Sequence, residues 1–415
     1  MPTHDCRGDP ITGATPNSLE AFEEAARSFR MWRGDPAPAI AAALSEAPGF
    51  VMAHVLHAYT LLCTRDPASV RAAAPVYEAA AALRVNARER RHLAVIAAVL
   101  RDDYEAARSN LGDLLAIHPR DLLALQVAHA FDYLGGDVAQ LHDRVAAVLP
   151  AWSRGVPGYH AVLAMRAFGL VEAGHHAHAL DVGLEALALE PFDARAHHAI
   201  AHVFEMTGRA PEGQRWLLAH RAGWDGDTTV ARHCWWHLAL LHLQRGEAAA
   251  ALALYDTHLA GRPRRLSDLI DASALLWRVF LHADDAGERW LDLADDWAPH
   301  LADGFCTFSD LHAMMAFVGA RRWGLATQLV RELEQRQSML TRHGATTRFV
   351  GLPASRALLA FKRGDFARAA HLLGALPPIA HRLGGSHAQR DVFHLTLRAA
   401  TERTRRQAAE RRLAA

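Results

Sequence analysis

With 415 residues and 51% hydrophobic side chains, the chain carries enough apolar material for an extensive core. Lys+Arg and Asp+Glu balance at 45 each, so with a formal net charge of zero no global field points to nucleic acid or an anionic membrane. Forty-four of the 45 basic residues are arginine and Lys362 is the only lysine, so a lysine Schiff base is not expected.

The opening Met1-Pro2-Thr3-His4-Asp5 lacks a basic stretch followed by an apolar one, and no apolar run reaches the roughly 18 residues of a membrane helix. Cys6, Cys63, Cys234 and Cys306 lie far apart with no CxxC pair, which fits a reducing compartment; a soluble cytoplasmic protein is expected. Along the chain, Ala, Leu, Arg and Glu dominate segments whose apolar residues recur at three and four, so helix is predicted throughout and no strand. Turn signals fall at Gly34, Asp102, Gly136, Gly174, Gly208, Gly246, Gly287, Gly324 and Gly364. From Asp102 onward their steps are 34, 38, 34, 38, 41, 37 and 40, while Gly34 to Asp102 is 68, twice 34. A period near 34 is that of the tetratricopeptide hairpin, two antiparallel helices that bury their apolar faces only against neighbouring pairs.

Arg101-Asp102-Asp103-Tyr104 opens the second helix of one unit, which ends at His118-Pro119-Arg120-Asp121, where Pro119 is predicted to start the next first helix. Longer loops are predicted at 150–157, 261–265 and 335–350, and 403–415 reads as a solvated helical tail. Residues 1–415 are expected to form a single all-α domain, an α-solenoid of about ten hairpins whose superhelical twist could close much of a ring around a central pocket.

A polar residue returns at nearly the same place in each repeat: His54, His92, His129, Arg166, His202, His237, Asp271 and His312, at steps of 38, 37, 37, 36, 35, 34 and 41. Each precedes a turn and so belongs to the first helix of its hairpin, the helix that lines the concave face. The densest signal is Ala196-His197-His198-Ala199-Ile200-Ala201-His202-Val203-Phe204-Glu205-Met206, where His198, His202 and Glu205 are related as i, i+4 and i+7 and share a helical face. One repeat later His233 and His237 have the same spacing, followed by Asp271, Ser273 and Arg278, then Asp310 and His312.

Three chemistries suit these residues. Packed histidines satisfied by neighbouring carbonyls and carboxylates are the ordinary structural outcome. Paired i, i+4 imidazoles on successive helices suit a divalent zinc or iron ion held by His198, His202, His233 and His237, although the short H-x-E-x-x-H and C-x-x-C signatures are missing. A metal-free pocket for a small polar ligand would use imidazoles and carboxylates as acids and bases, in lyase or hydrolase chemistry. There His202 and His237 would carry protons, Glu205 and Asp271 would orient them, and Arg278 would anchor an anion. His92, His129, Glu172, His198, His233, Trp236, His312, Arg390 and Asp391 would complete the lining. No G-x-S-x-G elbow is present, Cys234 reads as a buried structural thiol, and Gly384-Gly385-Ser386 lacks the setting of a phosphate loop.

Several strings also resemble the tetratricopeptide repeat protein 38 family over about residues 12 to 400. They are Arg88-Glu89-Arg90-Arg91-His92, His118 to Leu125, Phe168-Gly169-Leu170-Val171-Glu172, His198 to Met206, His233 to His237, Tyr255-Asp256-Thr257-His258 and Leu383 to Phe393. The resemblance implies a soluble, all-helical repeat fold and no defined activity. Positions shared with the family pattern are His92, His129, Glu172, His198, His202, Glu205, His233, His237, Asp271, Arg278, His312, Arg390 and Asp391; Arg166 and His54 do not match it. A repeat protein of this kind can also serve as a scaffold gripping a partner peptide, but a lining of imidazole and carboxylate suits a small polar ligand better.

Overall fold

Acidic residues in the turns set where the helices begin. In the computed structural model, which describes residues 3–283 and 286–413, Asp66, Asp103, Asp121, Asp137, Asp193 and Asp365 each accept backbone N–H bonds in the first turn of the helix that follows. Left-handed glycines close the preceding helices, as at Gly136 with φ 68° and Gly174 with φ 84°. Asp103 and Asp121 thus fix a hairpin boundary without help from Pro119, which lies in the turn; the helix expected to start at the proline starts at Leu122 instead. Gly324 is likewise not a turn residue, because the left-handed position there is Arg321 with φ 57° and Gly324 already lies in helix.

A short antiparallel ribbon, Thr3–His4 paired with Pro10–Ile11, precedes the helices and departs from the strand-free expectation. The first helices in order are α1 Pro16–Met31, α2 Ala37–Glu46, α3 Val51–Leu62, α4 Pro67–Ala81, α5 Ala87–Leu100, α6 Tyr104–Ile117, α7 Leu122–Gly135 and α8 Val138–Val148. They are followed by α9 Tyr159–Glu172, α10 His176–Leu189, α11 Ala194–Met206, α12 Ala210–Ala219, α13 Arg221–Trp224, α14 Ala231–Gln244 and α15 Ala248–Leu254. The remainder are α16 Leu266–Ala283, α17 Arg289–Trp297, α18 Thr307–Gly319, α19 Trp323–Arg336, α20 Arg342–Thr346, α21 Leu352–Lys362, α22 Phe366–Gly374 and α23 His387–Leu413. Residues 335–350, expected as a loop, hold the end of α19, all of α20 and most of a π-helical turn at Thr347–Gly351. The expected tail is the exposed end of α23, with 414–415 outside the described residues.

The chain divides into two compact units, Met1–Thr207 with Arg215–Cys234, and Gly208–Gln214 with Trp235–Ala415, so that the division passes through α12 and α14. In the first unit α1/α2, α3/α4, α5/α6, α7/α8 and α9/α10 are antiparallel-type hairpins, and first helices stack on first helices: α3 on α5, α7 on α9, α9 on α11. In the second, α16/α17, α18/α19 and α21/α22 pair, with α16 on α18 and α18 on α21. The fold is therefore all-α, an α-solenoid of tetratricopeptide-like hairpins. Close stacking depends on glycine where helices touch backbone to backbone: a Cβ on Gly169 of α9 would lie 2.4 Å from the Leu141 carbonyl oxygen of α8. No described helix is long and apolar enough to cross a membrane, and the cysteines form no disulfide among the described residues.

Candidate functional site

All eight residues of the predicted ladder lie on the first helix of a pair, in α3, α5, α7, α9, α11, α14, α16 and α18. His54 is half-buried and donates to the Pro48 carbonyl at 2.9 Å, and Arg166 is half-buried beside His178 at 3.5 Å. His92, expected as a ligand contact, has two side-chain partners: the Tyr59 hydroxyl meets Nδ1 at 3.0 Å, and Nε2 donates to Asp121 at 2.9 Å. Asp121 also takes Arg88 at 2.7 Å; against the upward push of burial, Arg88 and then His92 hold its carboxyl well below the usual carboxylate range. His92 belongs to a closed structural network whose ring nitrogens are both committed.

The convergence occurs on α11. Asp193 starts this helix by accepting from Arg195 N at 3.0 Å, which phases Arg195, His198, His202 and Glu205 onto one stripe at i, i+3, i+7 and i+10. His198 and His202 bring their Nε2 atoms to 3.0 Å, with ring centroids 4.5 Å apart and planes at 88°. Phe168 of α9 backs both rings, lying nearly parallel to His198 at 5.6 Å and edge-on to His202 at 5.3 Å. His233 of α14 approaches from the other side, 5.0 Å from the His198 ring and 6.3 Å from that of His202. His237 stands one turn further along the same unbroken α14, and the ligand nitrogens of His198, His202, His233 and His237 all lie within 4.8 Å of one another. His202 and His237 are fully buried and His233 is half-buried, so His233 marks the accessible side.

This spacing has two chemical uses. A divalent ion binds imidazole nitrogen at ~2.1 Å, which puts neighbouring ligand atoms ~3.0 Å apart at a right angle and ~3.4 Å apart in a tetrahedron. The 3.0 Å Nε2 to Nε2 separation of His198 and His202 falls at that value. Without an ion the same contact is a hydrogen bond in which one ring donates and the other accepts, so the two rings share a proton and are not both charged.

His129 of α7 packs edge-on against Phe168 at 5.8 Å. Burial, reinforced by the nearby Arg195 charge, pushes the His129 imidazole down to about 3, and its Nε2 has no hydrogen-bond partner. Glu205 and Glu172 are half-buried, at the ends of α11 and α9. In the second unit Asp271 is buried on α16, Trp236 is buried on α14, and Asp391 is half-buried on α23. His312 donates from Nδ1 to the Phe308 carbonyl at 2.7 Å, and Arg390 donates to the Gly385 carbonyl. Arg278, expected as an anion anchor, donates to Ala274 O at 3.1 Å and Ala388 O at 2.6 Å and lies over Trp236, tying α16 to α23. Cys234 is buried, as expected of a structural thiol.

Two neighbours of the imidazoles were missed by sequence reasoning. Trp32, the left-handed residue that ends α1 with φ 56°, sets its ring 5.9 Å from His198. Arg195 lies over Trp32 at 4.4 Å and is 6% exposed. Its signal was present, since Arg195 precedes His198 by three on the stripe already identified.

No family model matches the chain. Among solved structures it is similar to the TPR domain of P58(IPK), at 12% identity over 84% of this chain and 90% of that one, with a TM-score of 0.25. It is also similar to a chain of Naa15/Naa10 bound to HypK-THB, at 13% identity over 93% of this chain and 62% of that one, with a TM-score of 0.29. Scores this low add nothing to the helix pairing described above.

Proposed function

We propose that the protein holds a divalent transition metal, zinc or iron, on His198, His202, His233 and His237 and uses that centre to bind a small polar molecule. The supporting observation is the gathering of four imidazole donors within 4.8 Å on two helices. Neutral imidazole is a favoured ligand of such ions, and burying several titratable rings together is unfavourable unless an ion or ligand compensates. A bound divalent ion would supply a positive centre able to polarise a carbonyl or phosphoryl oxygen. Glu205, on the same stripe as His202, would orient the imidazoles from outside the ligand set. The resemblance to the tetratricopeptide repeat protein 38 family and a cytoplasmic location, in keeping with cysteines that form no disulfide among the described residues, belong to the same proposal.

The 3.0 Å hydrogen bond between His198 and His202 favours a second reading, a metal-free acid–base pocket. In it His202 and His237 carry protons and Glu205 and Asp271 are their carboxylate partners.

Elemental analysis after dialysis against zinc or iron(II) separates the two. The metal reading expects about one equivalent per chain, lost in a His198→Ala/His202→Ala double variant whose helical circular dichroism persists. Wild-type protein that retains no metal above background would overturn it, and the acid–base reading would then stand on its own.

A further inference from the structure

We infer that the small molecule beside these imidazoles is an oxyanion, a carboxylate or a phosphate, and that Arg195 is its anchor. The inference deepens the preceding reading by naming the ligand class, and it rests on that reading only for the ligand's place beside the histidines.

Several other arginines withdrawn from solvent have partners. Arg88 meets Asp121 at 2.7 Å, Arg144 meets Asp132 at 2.7 Å, Arg264 meets Asp296 at 2.6 Å, and Arg278 donates to two carbonyls. Arg195, at 6% exposure, has no ion pair and no side-chain hydrogen bond among the described residues; its recorded contact is the face of Trp32 at 4.4 Å. The carboxylate closest in sequence is already engaged, since Asp193 takes the backbone of Arg195 and Ala196 through one oxygen and His160, at 2.7 Å, through the other. Cys63 offers no counter-charge, because burial pushes its thiol up to about 12. The Asp193 charge acts on Arg195 but is outweighed by burial, and the guanidinium's planar fork of donors, which makes no hydrogen bond within the described residues, fits the two oxygens of a carboxylate or phosphate.

A second group without a hydrogen-bond partner stands on the other side of Phe168 from the cluster. His129 Nε2 is buried without a hydrogen-bond partner, close enough to Arg195 for that charge to act on the ring. Phe168 links His129 to His198 and His202, and Trp32 links Arg195 to His198, so the two unsatisfied groups border the histidine cluster through shared aromatic walls. Arg195 also lies three and seven residues before His198 and His202 on the same helical stripe.

The test uses the full chain loaded with cobalt(II), with inorganic phosphate and acetate titrated separately by calorimetry. Wild type is expected to bind at least one probe, and the stronger of the two names the ligand's acid. Arg195→Met should weaken that binding by at least about 30-fold, Arg195→Lys should restore part of it, and the visible cobalt spectrum should persist in both. Should Arg195→Met fail to fold, Arg195→Gln takes its place. The inference is overturned if wild type binds neither anion, or if the Met or Gln variant binds as tightly as wild type. A wild-type protein that shows no cobalt spectrum yet loses phosphate or acetate binding in the variant refutes the metal reading alone and leaves Arg195 as the anchor.

Discussion

His129 carries its hydrogen-bond deficit inside the fold, and that has a consequence for stability in acid. Its imidazole is pushed down to about 3 by burial first and by Arg195 second, while an unfolded histidine titrates near 6.5. Between those values the unfolded chain binds the proton and the folded chain does not, so the contribution is complete above about 6.5 and is lost as pH falls. His343, pushed down to about 4 by burial and then by Arg336, acts with the same sign. Asp310 acts with the opposite sign: burial pushes its carboxyl up to about 7, so its contribution is complete at low pH and declines as pH rises toward 7. Because these slopes oppose each other, a single-residue comparison is the informative one. Urea unfolding of wild type and His129→Leu at pH 7.5 and pH 5 should show the difference between them shift by about 2 kcal/mol in favour of the variant at the lower pH. A difference independent of pH would show that His129 does not stay neutral in the folded chain.

At the scale of the helix, much was legible before any coordinates. The repeat of turn signals placed every ladder residue on a first helix because both the turn and the ladder position are set by local helical phase. The His198, His202 and Glu205 stripe was legible for the same reason. The errors were also local in origin: Pro119 was given a helix start that Asp121 performs by side-chain capping, and Gly324 a turn that Arg321 makes with its backbone in the left-handed region. Helix-to-helix approach was not legible. Gly169 sits where α9 meets the backbone of α8, and a methyl group there would fall 2.4 Å from the Leu141 carbonyl oxygen. Gly169→Ala is therefore expected to lower stability by about 1–3 kcal/mol even though alanine is the better helix former, as a fall in thermal midpoint would show. A rise would mean that the α8 and α9 seam has room to relax.

For the whole molecule, charge balance sets colloidal behaviour more than fold. Equal numbers of acidic and basic residues with 27 histidines give a sequence pI of about 7.5. Solubility measured in low salt should be least near pH 7.5 and rise as pH falls through 6.5, the ordinary range in which histidine gains charge, although the buried His129 does not. A solubility minimum well away from neutrality would point instead to association through exposed apolar side chains such as Phe192 or Leu340.

The amino-acid sequence by itself determined the helices, the period of the hairpins and the facing of His198 and His202, because each depends on residues within a turn or two of one another. Only the tertiary structure decided which polar groups are satisfied. His92 meets Tyr59 and Asp121 across 33 and 29 residues, Arg278 meets the Ala388 carbonyl across 110, and Arg195 is left facing Trp32. Those outcomes turn on chain segments far apart in sequence, whose approach is fixed by packing and not by local helical geometry.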